Sequence, residues 1–357
     1  MEKIFVSIAS YRDKNCSNTV SSLYKNAKHP KRVFCGICEQ NKNKNEKCID
    51  IMFGYKQNIR TIEKNYTDAK GPTYARYLCS TLYDGEDFFL QIDSHSLFVK
   101  DWDEICIAMI KQLESSKENK KVILSHYPPA YESYTERPTN SHVTHLVDCF
   151  FNNDGILTFH GAKWKPPLAE PRRNAFLAGG FIFCRGSWVI DVPFDPDLDF
   201  LFTGEEILLS VRSYTSGYDV YTPNKNIVFH MYTRKNDPKF WTDNTRYSNH
   251  EVKEKVKIIS GLDGDIKKLS TTRIINSLKK YNIGKERTLK DFYDFIGVDP
   301  KTKTIGKPKV EFYQQSTTVN IGTTLIVILF FVLCYVLVYR YGKYRKGQKN
   351  NPRKNRL

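Results

Sequence analysis

Residues 88–95 read Phe-Phe-Leu-Gln-Ile-Asp-Ser-His. The apolar, β-prone run 88–92 has the length and makeup of a buried strand, and it stops abruptly in polar residues. Side chains alternate along a strand, so Asp93 and His95 leave the same face. A carboxylate and an imidazole sharing one face at a strand end suit a divalent ion, with a plain polar turn as the simpler alternative. A strand this apolar also demands covering layers on both sides.

The rest of the first half supplies those layers. Lys3–Ala9 is a short apolar strand that ends in Ser10-Tyr11-Arg12-Asp13; residues 18–27 read as a helix and 32–38 as the next strand. Ile59–Ile62 is a further strand, and Gly71-Pro72-Thr73 opens a helix through Leu82 that contains Arg76. After the opening strand come a helix from Trp102 to Leu113 and a strand from Val122 to His126, closed by Tyr127-Pro128-Pro129. Strands separated by helices predict an α/β fold with a mostly parallel sheet and ligands at the C-terminal strand ends. Ser10–Asp13 and Asp93–His95 both lie at such ends.

Further along, Ala178-Gly179-Gly180 precedes the strand Phe181–Cys184, and glycines there let a backbone pass close to a ligand. Phe202-Thr203-Gly204-Glu205-Glu206 leads into a helix from Ile207 to Thr215. Paired acids in a first helical turn either complement the macrodipole or point into a pocket. The strand Ile227–Phe229 ends in His230, the candidate third metal ligand. His142 and His145 read as surface histidines, and residues 252–294 as mainly helical.

Charge and cysteine usage bear on partners. The chain has 55 Lys and Arg against 39 Asp and Glu, a net charge of +16. Half of that excess lies in residues 340–357, which hold eight Lys/Arg and no acid, and no basic stripe interleaved with aromatics remains elsewhere. Specific nucleic-acid binding is therefore not expected. Residues 321–339 are uncharged throughout; as a helix they span about 28 Å, which predicts a transmembrane helix over 319–339 after a polar linker at 300–318. With no signal peptide at the N-terminus, this predicts a single-pass C-terminal anchor with the large N-terminal part cytosolic. Nine scattered cysteines, without framework spacing, point the same way, to a reducing compartment. Cys35 and Cys38 have zinc-like spacing without a second pair and read as structural.

The ordered motifs are Ile-Ala-Ser-Tyr-Arg-Asp at 8–13, Asp-Ser-His at 93–95, Tyr-Pro-Pro at 127–129, Ala-Gly-Gly-Phe at 178–181, Phe-Thr-Gly-Glu-Glu at 202–206 and Val-Phe-His-Met-Tyr at 228–232. Together with Arg287–Asp299, this order resembles the GlcNAc-type glycosyltransferases that modify hydroxyproline on a ubiquitin-ligase adaptor. It is more distantly similar to the mucin-type polypeptide GalNAc-transferases. The resemblance spans residues 3–299 and implies a GT-A-like domain over 1–299, a Mn²⁺ or Mg²⁺ ion, and retaining transfer from a UDP-sugar to a protein hydroxyl.

It further implies that Asp93, His95 and His230 hold the metal, and that Ser10, Tyr11, Arg12 and Asp13 line the uridine end with Arg76 nearby. Gly179 and Gly180 would pass beside the sugar, and Glu205 or Glu206 would serve catalysis. The extension after Pro300 departs from soluble members of that family. A catalytically inactive transferase fold tethering a partner to a membrane is the alternative reading.

Overall fold

The computed structural model describes residues 1–49, 53–139, 143–146, 149–159, 163–165, 169–245 and 248–308. The chain begins with strand β1 (Ile4–Tyr11), helix α1 (Cys16–Asn26), β2 (Val33–Asn41), β3 (Ile59–Asn65) and α2 (Pro72–Ser80). Then come β4 (Phe88–Asp93), β5 (Ser96–Phe98), α3 (Trp102–Ser116) and β6 (Val122–Ser125). The middle holds short strands: β7 (Val143–His145), β8 (Cys149–Phe151), β9 (Leu157–Phe159), β10 (Lys163–Lys165) and β11 (Arg172–Asn174). There follow β12 (Phe181–Arg185), α4 (Trp188–Asp191), α5 (Glu205–Thr215), β13 (Asp219–Thr222) and β14 (Val228–His230). Four helices, α6 (Phe240–Asp243), α7 (His250–Ile259), α8 (Thr272–Lys280) and α9 (Leu289–Ile296), come last.

Eight strands form one sheet in the order β11-β13-β6-β12-β4-β1-β2-β3. Six of them have a parallel neighbour, with β1 flanked by β2 and β4, β2 beside β3, and β6 beside β13. β12 runs antiparallel to both β4 and β6, and β11 antiparallel to β13, so the sheet is mixed in its second half. Along β1, Ile4, Val6 and Ile8 enter one apolar layer with Trp102, Ile110 and Leu23. Phe5 enters the opposite layer with Phe89, Ile182 and Trp188. The period-two alternation thus fills both faces of an inner strand. A third layer packs α5, α7 and α9 through Leu208, Val256 and Phe292. Thr288 and Asp291 form a reciprocal capping box at the start of α9, and Gly297 ends it at φ 72°.

Register positions the site. Ala9 of β1 pairs with Asp93 of β4, so the chain leaving β1 runs beside the chain leaving β4. β14 pairs antiparallel with β5, placing His230 opposite Ser96, one residue past His95. One hydrogen bond, from the Met231 N–H to the His95 carbonyl at 3.0 Å, fixes that approach.

Three expectations are corrected. Among the described residues no helix is long and apolar enough to cross a membrane. The transmembrane helix expected over 319–339 lies outside the described residues, so the membrane-spanning part of the fold and the single-pass location built on it are not carried by the structure. Cys16 and Cys48, 32 residues apart, form a disulfide with Cα atoms 4.7 Å apart; turning the chain at α1 and after β2 makes the pairing that linear spacing concealed, against the expectation of unpaired thiols in a reducing compartment. His145 is buried on β7 rather than exposed, with Nδ1 3.2 Å from the Thr222 hydroxyl, while His142 lies outside the described residues. Cys35 and Cys38 are buried free thiols that enter different apolar layers, as the i, i+3 spacing on a strand requires.

Candidate active site

Asp93, His95 and His230 each present a ligand atom, and these atoms lie within 4.8 Å of one another. The His95 and His230 rings are 4.6 Å apart, and His230 Nε2 is 3.1 Å from Asp93 Oδ2. Neither ring nitrogen of His230 makes a hydrogen bond, although both are buried. Two imidazoles and a carboxylate converging without satisfying one another fit a divalent cation such as Mn²⁺.

The three line a cavity of about 540 Å³ that also takes in Tyr11, Arg76, Gly179, Gly180, Glu205 and Glu206. Nine of the twelve residues singled out from the sequence therefore meet in one place. Ser10, Arg12 and Asp13 do not line it. Ser10 is fully buried, and Asp13 is buried against His95.

Arg76, which the resemblance puts near the uridine end, packs against two carboxylates of the cavity. The residue is 8% exposed and its guanidinium bridges two carboxylates: Nη2 donates to Asp93 Oδ1 at 2.8 Å, and Nη1 donates to Glu205. Burial disfavours the Arg76 charge, but Glu205 and Asp93 outweigh it and hold the group firmly protonated. Burial pushes the Asp93 carboxyl up, yet the adjacent His230 imidazole and the charge of Arg76 carry it well below the usual range. Glu205 stays above its ordinary value, because burial and the neighbouring Asp93 charge exceed the pull of Arg76.

The glycines are explained by this arrangement. A Cβ on Gly179 would come 2.9 Å from Arg76 Nη1, and one on Gly180 would come 3.1 Å from Asp93 Oδ2. Gly204, at φ 112°, turns the chain so that α5 begins with both acids facing inward.

Glu206 accepts from the Gly179 N–H at 2.8 Å and from the Tyr127 hydroxyl at 2.5 Å. Burial raises its carboxyl, against those two hydrogen bonds, to about 7. A carboxyl with a raised folded-state pKa binds more protons folded than unfolded, so its contribution to stability is present at low pH and lost as pH rises towards 7. Glu206→Gln is expected to flatten this fall relative to the parent. Denaturant midpoints of both proteins at pH 5 and pH 8 provide the check, and equal falls would remove Glu206 from the account.

Sequence reasoning missed the segment after His230. Tyr232 donates to the Pro128 carbonyl at 2.7 Å, Arg234 donates to Asp13 at 2.5 Å, and Asp237 pairs with Lys14 at 3.0 Å. Asp243 accepts from Tyr11 at 2.9 Å and from Arg12 at 2.7 Å. Residues 231–244 therefore strap the strand end at Tyr11–Lys14. Arg12 itself sits at φ 47°, the left-handed region few non-glycine residues adopt, with Glu46 3.2 Å from its Nε. At the cavity mouth Phe202, Tyr232 and Trp241 are all exposed, with the Phe202 and Trp241 rings 5.0 Å apart. The local signal was the aromatic and charged density of 232–243, which no periodicity ordered.

The mixed sheet, the strand-end carboxylate and the glycine-lined cavity define an α/β transferase fold of the GT-A-like class. The chain belongs to the family described as Glycosyltransferase (GlcNAc), whose profile matches residues 3–54 and 51–302; it is a glycosyltransferase. A crystal structure of GalNAc-T7 with UDP, GalNAc and Mn²⁺ is similar, with a TM-score of 0.56 at 13% identity over 83% of this chain. The match covers 56% of GalNAc-T7, so this chain spans little more than half of that one. S. aureus TarS 1-349 in complex with UDP-GlcNAc gives a TM-score of 0.46 at 14% identity, covering 78% of this chain and 71% of that one. No curated protein matches the sequence.

Proposed function

We propose that residues 1–299 form a metal-dependent retaining transferase domain that moves GlcNAc from UDP-GlcNAc to a hydroxyl on a protein. The convergence of Asp93, His95 and His230 beside the carboxylates Glu205 and Glu206 in one cavity carries this reading. A divalent ion bound by the three would offset the charge that develops on the diphosphate leaving group. Arg76 holds Asp93 ionised and aimed at that position while orienting Glu205. Gly179 and Gly180 leave room for a sugar ring to approach the Arg76–Asp93 pair. Glu205, buried and paired with Arg76, faces the transferred sugar; Glu206, titrating near neutrality, is suited to take or return the acceptor hydroxyl proton. Tyr11 serves the nucleotide end, and the exposed aromatic rim of Phe202, Tyr232 and Trp241 would receive the acceptor.

The family description supports GlcNAc as the sugar, and the protein acceptor is the expectation that the ordered motifs imply. UDP release is the assay: with Mn²⁺, UDP-GlcNAc is expected to exceed UDP-GalNAc and UDP-Glc as donor, and a chelator is expected to remove activity that added Mn²⁺ then restores. Undiminished release in excess chelator would sink the metal-dependent reading.

A further inference from the structure

We infer that Asp13 is a positioning residue of the metal centre, fixing the His95 ring so that Nε2 faces the ion, and is not a nucleotide contact. This rests on the metal reading above. Asp13 is fully buried and lies behind the cavity wall. Its acceptor capacity is spoken for: Oδ1 accepts from the Asn15 N–H at 2.9 Å. Oδ2 takes the Ser94 hydroxyl at 2.7 Å and Arg234 Nη1 at 2.5 Å, and lies 2.7 Å from His95 Nδ1. A carboxylate offers about four lone-pair sites, so little is left for a base or ribose.

The partners also decide the imidazole tautomer. A carboxylate oxygen already accepting from a guanidinium and a hydroxyl has no proton to give. Its 2.7 Å contact with Nδ1 therefore requires the proton on Nδ1. Arg234 Nη1, 3.1 Å from the same Nδ1, is then a second donor converging on the same oxygen rather than a donor to the ring. With Nδ1 protonated, the Nε2 lone pair is free for a metal. The β1–β4 register that sets Ala9 beside Asp93 brings Asp13 and His95 together, so the first strand end supports the ligand of the second.

The test uses the whole 357-residue chain and MnCl2 as the probe. Mn²⁺ affinity is read from the electron paramagnetic resonance signal of free Mn²⁺, and UDP affinity is read separately in metal-free buffer. Asp13→Ala is expected to weaken Mn²⁺ binding by about 10–100-fold, with Asp13→Asn between it and the parent, and with metal-free UDP affinity unchanged. Nitrogen-15 shifts of the histidines in the metal-free parent, which need no variant, are expected to show His95 as the Nδ1–H tautomer. An unchanged Mn²⁺ affinity in a folded Asp13→Ala protein, a loss of UDP affinity in its place, or an Nε2–H tautomer at His95 each overturns the inference alone. A parent that binds no Mn²⁺ overturns the metal reading together with it.

Discussion

Exchange of Asp93 for alanine is expected to lower UDP release by about 10³-fold or more at saturating donor and Mn²⁺. Two losses combine. The variant lacks the one carboxylate in the cluster with His95 and His230, so the anionic share of the metal-binding set disappears. It also frees Arg76, whose Nη2 now donates to Asp93 at 2.8 Å, to swing towards Glu205 and disturb the sugar side of the cavity. Asp93→Asn separates the two, because the amide keeps the shape and an acceptor oxygen but removes the charge. Both variants are compared with the parent by initial UDP-release rates and by Mn²⁺ titration. Retention of the parent rate in folded Asp93→Ala would end the metal-centred account of the cavity.

The second large effect is on stability. Arg76 is buried between Asp93 and Glu205, and its replacement by methionine leaves two carboxylates without their cation. Loss of one partner from such a buried arrangement costs roughly 3–5 kcal/mol. The cost has a pH signature with a definite sign. Without Arg76 the Glu205 carboxyl, already above its unfolded value, rises further and Asp93 keeps only the pull of His230 and His95, so each carboxyl contributes more when protonated than it does in the parent. That contribution is lost as pH rises. Arg76→Met should therefore be most destabilised, relative to the parent, at pH 8 and less so at pH 5. Urea unfolding at the two pH values measures this; a pH-independent difference would show that packing, not charge pairing, is what Arg76 provides. Arg76→Lys is not a mild change here, because one ammonium cannot span both carboxylates as the planar fork does.

Much of this site was legible in the chain because strand ends are abrupt. Phe88–Ile92 and Lys3–Ala9 are apolar runs broken by polar residues, and the rule placing ligands at C-terminal strand ends joins Asp93–His95 to Ser10–Asp13. His230 was found the same way, at the end of a third run. What stayed hidden depended on distant partners. Arg76 lies inside a helix, and nothing local told that it faces Asp93, 17 positions on, and Glu205, 129 positions on. Asp13 was grouped with Tyr11 through the resemblance, although the left-handed backbone at Arg12, just past the end of β1, sends Asp13 into the wall while Tyr11 lines the cavity. β12 runs antiparallel because the chain returns across the sheet through 178–181, a reversal that no periodicity encodes. The short strands between Val143 and Asn174 were equally illegible, each too brief to show alternation.

The disulfide between Cys16 and Cys48 gives the first part of the chain a topology of its own. It closes a covalent ring that contains all of α1 and all of β2, with the exposed residues Lys42, Lys44 and Lys47 at its outer edge. A backbone cut after Lys44 would thus open the ring without releasing a fragment: residues 1–44 and the remainder would stay joined through sulfur. The strand that carries Tyr11 would remain tethered to its neighbour even in a nicked molecule, and the site at its end would lose continuity of chain without losing its frame.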